Sequence, residues 1–455
     1  MVEKMNKEFD LVVKGGLVVG SKGIRKADIA ISGGIIASVQ EEIEERLAWE
    51  VIDASGKLLF PGILDVHVHP VYLDNMQATS LTAAHGGTTT LIHFAYAKPG
   101  ERLVDVLERF KEEGSRTSLL DFGLHGGLFE ADKQAREIPE AFKLGVKSFK
   151  MFMAYARLGW MTDDYYLMAA MDLIAANGGL AMVHAESGLA IQYLEDKYIA
   201  KGSDPAQFMK TTPDELEAEA IFRAISFASV TGSPLYIPHL SGGAGVDIIG
   251  RAKRKGQAIF AETCPQYLSL TSEEVIRRGA LAKIGPPLRT DADREALWRG
   301  IRTGVIDVIA SDHAPKAKDT KADFFTQSFG SPQAETMLTI AYDEGVNLGK
   351  IDLCSLVRVL CENPAKIFGL YPQKGALEVG SDADLVLFDP SLSHAITAEK
   401  QHTNATYTLY EGRQCLGAPI LSMQRGRVIL KDGEVKAQPG QGRFLSTDPG
   451  RFTVG

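Results

Sequence analysis

Apolar and polar positions follow two different rhythms along the chain. Over residues 9–55, short β-rich runs are punctuated by glycine: Phe9-Asp10-Leu11-Val12-Val13, Ala27-Asp28-Ile29-Ala30-Ile31 and Ile35-Ile36-Ala37-Ser38-Val39. Runs of this kind predict small antiparallel strands joined by tight turns. Residues 375–435 repeat the texture, with Ala383-Asp384-Leu385-Val386-Leu387-Phe388 and the run 422–430 flanked by Gly380, Pro390, Gly417 and Gly433. Two ends with one texture predict one small β domain built from both. Between them, short apolar runs alternate with longer amphipathic stretches, the rhythm of a parallel sheet. The runs end near His69, His93, His125, Lys150, His184, His239, Glu262 and Asp312, with helix-like segments such as 103–113, 164–177 and 214–230 between them. This predicts an α/β chain with a (β/α)8 TIM barrel over 59–372 and a small β-sandwich domain from 1–58 and 373–455. A doubly wound open sheet ranks lower, because no GxGxxG fingerprint follows the first strand.

Composition narrows the partners. The 455 residues are 45% hydrophobic and 24% charged, as in a soluble globular protein. No apolar stretch approaches the roughly 18 residues of a membrane span. The 58 acidic and 49 basic side chains give a net charge of -9, which repels phosphate backbones. The one local basic patch is Arg251, Lys253, Arg254 and Lys255, so neither nucleic acid nor membrane is expected as a partner. Cys264, Cys354, Cys361 and Cys415 lack CxxC spacing, and the amino terminus lacks the apolar core of a secretory signal. A reducing, cytoplasmic setting is expected.

The chemically loaded residues fall at predicted strand ends, where barrel enzymes place their sites. In Asp65-Val66-His67-Val68-His69 the histidines stand at i and i+2, so both imidazoles point one way and can grip one metal. Alone, this would be weak evidence. His184 and His239 each end an apolar run, and singly each reads as a core or rim histidine. Asp312 ends the last run and reads as a ligand, a proton shuttle or a helix cap. Five such groups converging on one barrel mouth are far less easily explained away than any one of them. Lys150 stands where a bridging carboxylate would be expected. A desolvated lysine is driven towards the neutral amine, which can add carbon dioxide and become an anionic, two-oxygen carbamate. Taken alone, Lys150 reads better as an ordinary paired lysine.

These stretches together resemble the cyclic amidohydrolases of the amidohydrolase superfamily, in particular the hydantoinase and dihydropyrimidinase group. The matching segments are 61–69, Gly86-Gly87-Thr88-Thr89, Lys150-Met151-Phe152-Met153-Ala154-Tyr155, Val183-His184-Ala185-Glu186, 262–268, Pro286-Pro287-Leu288-Arg289, Ser311-Asp312-His313 and Gly380-Ser381-Asp382-Ala383-Asp384, in family order over nearly the whole chain. The resemblance implies two divalent metal ions per subunit, zinc first among them. One is held by His67, His69, carboxylated Lys150 (N6-carboxylysine) and Asp312, the other by Lys150, His184 and His239, with a hydroxide between them. It implies hydrolysis of a hydantoin or dihydropyrimidine ring to an N-carbamoyl amino acid. Asp312 is then the proton shuttle, and Tyr155 the donor to the oxyanion.

Substrate contacts are implied near Tyr155, Gly285 and Phe329; Gly285 stands where serine is usual and Phe329 where asparagine is usual. Leu73, Leu158 and Trp160 are candidates for a substituent pocket or for plain loop packing. A homotetramer is implied, with the tail 438–455 a candidate to reach a neighbour. Allantoinase is the enzymatic runner-up. Dihydroorotase is disfavoured, because Pro70-Val71-Tyr72 rather than an arginine follows the His-x-His pair. A non-catalytic scaffold relative is disfavoured because every ligand position carries a competent residue. Of the remaining groups, His85 reads as structural, and His93 and His125 as pocket residues or packing. His313 reads as an orienting neighbour, His394 and His402 as solvent-facing, and Cys264, Met151 and Met153 as core.

Overall fold

The computed structural model describes residues 7–201 and 204–448. Eight parallel strands form one sheet: β1 (Ile63–Val68), β2 (Thr88–Ala97), β3 (Asp121–Leu128), β4 (Ser148–Phe152), β5 (Leu180–His184), β6 (Leu235–Ile237), β7 (Ile259–Thr263) and β8 (Val308–Ile309). Each pairs with the next in sequence. The ring closes where Val68 bridges His313 and the His69 N–H donates to the His313 carbonyl at 2.9 Å. Every strand residue except Phe260 is buried, which is why these strands read as unbroken apolar runs and not as alternation. Helices cover the outside. That at Leu103–Thr117 buries Leu103, Val106, Leu107 and Phe110, a stripe at helical spacing. The barrel and the separate β domain predicted from the pattern are both present.

Some boundaries differ. His93 and His125 lie inside β2 and β3 and not at their ends, because those strands continue to Ala97 and Leu128. Lys150 is the middle residue of β4, and β8 stops at Ile309, short of Asp312.

The β domain is a nine-stranded sheet folded over its own core. Leu11, Val13, Ile29 and Leu59 from the first end pack with Leu385, Leu387, Leu421 and Met423 from the other. Strand Leu58–Pro61 joins the ends by pairing antiparallel with Leu385–Ile396, then leads through Gly62 into β1. Two pairings are parallel against the expectation: Phe9–Gly20 with Ala48–Asp53 and with Leu58–Pro61. The run 422–430 is not one strand. It is cut by a two-residue turn at Arg425 (φ 48°) and Gly426 (φ 70°), the left-handed pair that a tight hairpin requires.

One seam between the two bodies lies at the amino-terminal ends of the strands, opposite the barrel mouth. There Lys374 donates to Asp121 at 2.7 Å and to Asp384 at 2.8 Å, and pairs with Asp382 at 2.8 Å. As far as it is described, the tail runs along its own barrel. The Leu445 N–H donates to the Phe122 carbonyl at 2.7 Å, and Asp448 accepts from Lys147 at 2.8 Å, so residues to 448 lie on their own barrel. Residues 449–455 fall outside the described residues. Among the described residues, no helix is long and apolar enough to cross a membrane.

Candidate metal centre and active site

The strand pleat puts His67 and His69 on one side, with ring centres 5.0 Å apart. Their Nε2 atoms lie 3.2 and 2.9 Å from the same Asp312 Oδ1. The ligand atoms of these three residues all lie within 4.8 Å of one another. From β4, Lys150 Nζ reaches to 3.3 Å from His239 Nε2. The His239 ring lies 4.4 Å from that of His184 and 5.4 Å from that of His67, centre to centre. The six residues singled out as ligands therefore form one continuous group at the mouth.

Neighbouring acids set how the rings face. His67 Nδ1–H donates to Glu262 at 2.6 Å, and Glu262 also accepts from Tyr236 Oη and the His239 N–H. This leaves the His67 Nε2 lone pair facing the cluster. That atom is buried and, although near Asp312, is not aligned with any hydrogen-bond partner among the described residues; nor is His239 Nδ1. Buried ring nitrogens without partners are costly, and a cation would satisfy them. His184 Nε2 is bonded to Glu186 at 2.6 Å and His69 Nδ1 to Tyr96 Oη at 3.1 Å. The donor set thus fits divalent cations that accept imidazole and carboxylate.

Burial drives the imidazoles of His67 and His239 well below the ordinary range and lowers those of His69 and His184. All four are thereby kept in the neutral, ligating form. Burial opposes the charge on Asp312, but His67, His69 and Lys150 outweigh it and hold the carboxyl at about 2. Lys150 is pushed down to about 8 by burial, against the pull of Asp312 and Glu262. Tyr155 is pushed well above the usual phenol value by burial and the nearby Glu186 and Asp312, so it stays a donor.

The backbone is strained where the chemistry is expected. Tyr155 (φ 61°), His239 (φ 43°) and Asp312 (φ 51°) take the left-handed conformation, which costs a non-glycine residue on the order of 1–3 kcal/mol when held in place. Each kink follows a barrel strand and turns its side chain over the mouth.

A cavity of about 700 Å³ opens above the cluster, within the size of small-molecule sites. Tyr155, Gly285, Phe329, Leu158 and Trp160 line it, whereas Leu73 does not. A side-chain carbon on Gly285 would lie 3.0 Å from Tyr155 Oη and 3.2 Å from the Phe329 ring. The absent side chain at 285 and the large one at 329 are thus complementary.

The other histidines separate cleanly. His125 is tied inside the barrel to Ser148 and the Val66 carbonyl, and His313 to Asp74 and two backbone N–H groups. His93 is fully buried within β2. His85 stacks on His402, which bonds Glu335. His394 is half-buried and not solvent-facing, while His402 is exposed. Cys264, Met151 and Met153 are core.

Sequence reasoning gave no role to Glu262, Glu186, Tyr96 or Lys316. Glu262 was visible as an acid at a strand end and Glu186 as part of His-x-Glu. Nothing local marked Tyr96 or Lys316.

A closed (β/α)8 barrel with buried, metal-competent side chains at its strand ends defines the class of this protein. The sequence profile of the Amidohydrolase family matches residues 58–416. The D-hydantoinase of Rhizobium radiobacter is 37% identical over 453 residues, covering 96% of this chain and 98% of that one. A crystal structure of D-hydantoinase superposes with a TM-score of 0.92 at 34% identity, over 97% of this chain and 99% of the other. The L-hydantoinase (dihydropyrimidinase) of Arthrobacter aurescens gives 0.89 at 34% identity, over 96% and 99%. The chain belongs to the hydantoinase and dihydropyrimidinase group of the amidohydrolase superfamily. Membership implies a binuclear metal site, and His67, His69 and Asp312 form a group able to hold an ion.

Proposed function

We propose that this protein hydrolyses the cyclic amide bond of a hydantoin or dihydropyrimidine ring, releasing an N-carbamoyl amino acid. The observation that carries this reading is the buried, unpartnered His67 Nε2 within a cluster of five further ligating residues, beneath a cavity of about 700 Å³. His67, His69, Lys150 and Asp312 would hold one cation, and Lys150, His184 and His239 the other. Zinc suits this donor set. Lys150 has no carboxylate paired with it among the described residues, and its amine is desolvated, which favours the carbamate N6-carboxylysine as the bridge. When bound, two divalent cations supply an activated water at neutral pH and polarise the scissile carbonyl.

The chain's own residues do the rest. Asp312, ionised and held between two histidines, accepts the proton of the attacking water and delivers it to the leaving amide nitrogen. Tyr155 Oη–H donates to the carbonyl oxygen as negative charge grows there. Backbone groups beside Gly285 and Phe329 hold the ureide, and the apolar wall excludes water. The functional units are 1–58 with 373–455 and 59–372. The four free cysteines support a reducing, cytoplasmic setting, and the assembly is a homotetramer.

The test is a panel of dihydrouracil, hydantoin, 5-phenylhydantoin, allantoin and dihydroorotate, offered to enzyme prepared with zinc and bicarbonate. Ring-opened product from hydantoins or dihydrouracil, with about two metals per chain, is the expected result. Turnover confined to allantoin or to dihydroorotate, or less than one metal per chain, would overturn it.

A further inference from the structure

Lys316 lines the same cavity four residues beyond Asp312 and, unlike Arg157 there, has no carboxylate in ion-pair contact among the described residues. Its Nζ lies 4.0 Å from the centre of the Tyr72 ring, and Leu73 N–H donates to the Pro315 carbonyl, so the loops carrying the two residues are stitched together. The aromatic face fixes the ammonium without neutralising it. The neighbouring lysines differ. Lys283 spends its ammonium on the Phe324 and Phe325 carbonyls, and Lys318 on those of Lys283 and Ser328. Lys316 makes no side-chain hydrogen bond or ion pair among the described residues.

Of the cavity's other charges, Lys150 belongs to the ligand cluster beside His239, and the rest are engaged in protein contacts. Glu186 bonds His184, Arg157 pairs with Glu195 at 3.0 Å, Asp323 accepts from the Phe325 N–H, and Asp312 lies between His67 and His69. Burial pushes the Lys316 ammonium down to about 8 against the pull of Asp312, so it keeps its charge best when the cavity's occupant brings a further negative group. The ring to be opened is neutral and needs no such partner. The compensating charge then belongs to what the ring carries.

We infer that Lys316 is a specificity-determining residue, and that the substrate is a cyclic ureide whose exocyclic arm ends in a carboxylate. This inference rests on the ring-opening reading above and narrows its substrate class. It is tested by comparing kcat/KM for hydantoin-5-acetate with its uncharged isostere hydantoin-5-acetamide, both enantiomers of each, in wild type, Lys316→Met and Lys316→Arg. Because the readout is a ratio within one preparation, it does not depend on the fraction folded. Wild type should prefer the acid by about tenfold or more, the effect of one desolvated charge-assisted hydrogen bond. Lys316→Met should bring the ratio to about one or below, through KM, and Lys316→Arg should keep most of it. Turnover of hydantoin with equal kcat/KM for acid and amide overturns this inference alone, as does an unchanged ratio in Lys316→Met. Failure to open any ring overturns the ring-opening reading and takes this inference with it.

Discussion

Two lysines, at opposite ends of the barrel, show how the same residue at the same burial becomes two different things. Lys150 at the mouth and Lys374 at the seam with the β domain are each only 1% exposed. Burial alone would discharge both. At Lys374, the carboxylates of Asp384, Asp121 and Asp382 outweigh burial and hold the ammonium well above the usual lysine value. At Lys150 there is no such ring of acids. Its near neighbour is an imidazole, and the amine is pushed down to about 8. The seam lysine is a permanent charge that fastens two bodies, while the mouth lysine is a nucleophilic amine within reach of neutrality. Burial does not decide a lysine's role; the acids that accompany it do.

The largest break in this comparison is expected at the mouth. Lys150→Gln removes the amine while keeping a polar side chain of similar length. Turnover of hydantoin should fall by at least about a thousandfold, since the activated water is lost with the metals. Metal analysis should show the content falling below one per chain, and treatment of wild type with a chelator should reproduce the loss. Thermal unfolding of the variant should shift little beside that of a seam variant. A Lys150→Gln protein that keeps both metals would break the contrast.

The next effect belongs to the seam. Lys374→Met leaves the buried carboxylates of Asp384 and Asp382 without their cation and Asp121 with Arg425 alone, which costs about 3–5 kcal/mol when one partner of a buried ionic network is removed. Denaturant unfolding should show this loss, while kcat per folded, metal-loaded molecule stays near wild type because the seam lies at the far end of the barrel. A large fall in kcat with unchanged stability would show that the two lysines are not separable.

Most of the mouth and little of the seam could be read from the chain. A barrel strand brings its own marker, a short apolar run with a histidine or an acid in it or just beyond it, and the residues concerned are local in sequence: His67 with His69, His184 with Glu186. The pattern also announced helices at Leu103–Thr117, Asp164–Ala176 and Asp214–Thr231 to within a few residues. What escaped depends on contacts across long separations. Lys374 meets Asp121 across 253 positions, and Glu262 meets His67 across 195. The folding-back of residues 438–448 onto β3 is of the same kind, since no periodicity says which surface a tail will choose. Lys316 escaped for a further reason. A lysine in a loop ordinarily faces water, and only the apolar wall around the cavity makes this one unusual.

A smaller effect sharpens the view of the mouth as a set of fitted pieces. A serine at 285 would press on both Tyr155 Oη and the Phe329 ring, whose nearest atoms are 3.0 and 3.2 Å from the new carbon. Gly285→Ser should lower kcat/KM on hydantoin about tenfold by displacing the oxyanion donor, a fraction of what removing such a donor costs. Phe329→Asn, by relieving the crowding, should restore much of that loss in the double variant. Additive losses would mean that the two positions act independently.

The smallest effect tests the tether that runs from the mouth loop to the later part of the chain. Asp74 accepts from His313 at 2.9 Å, from Thr403 at 2.7 Å and from the Asn404 N–H at 2.8 Å. Burial opposes its ionisation, yet these partners hold the carboxyl below its ordinary value. A carboxyl depressed in the folded state adds stability that is full above the ordinary carboxyl pKa near 4 and is lost as the pH falls through the folded value. Asp74→Asn cannot titrate, so its stability curve should be flatter below about pH 5 and lie about 1 kcal/mol lower at neutral pH. Urea unfolding midpoints of both proteins between pH 3 and 7 would measure this. Parallel curves would mean that the tether holds by shape and not by charge, which would make the mouth loop indifferent to the kind of ionic fastening that the seam requires.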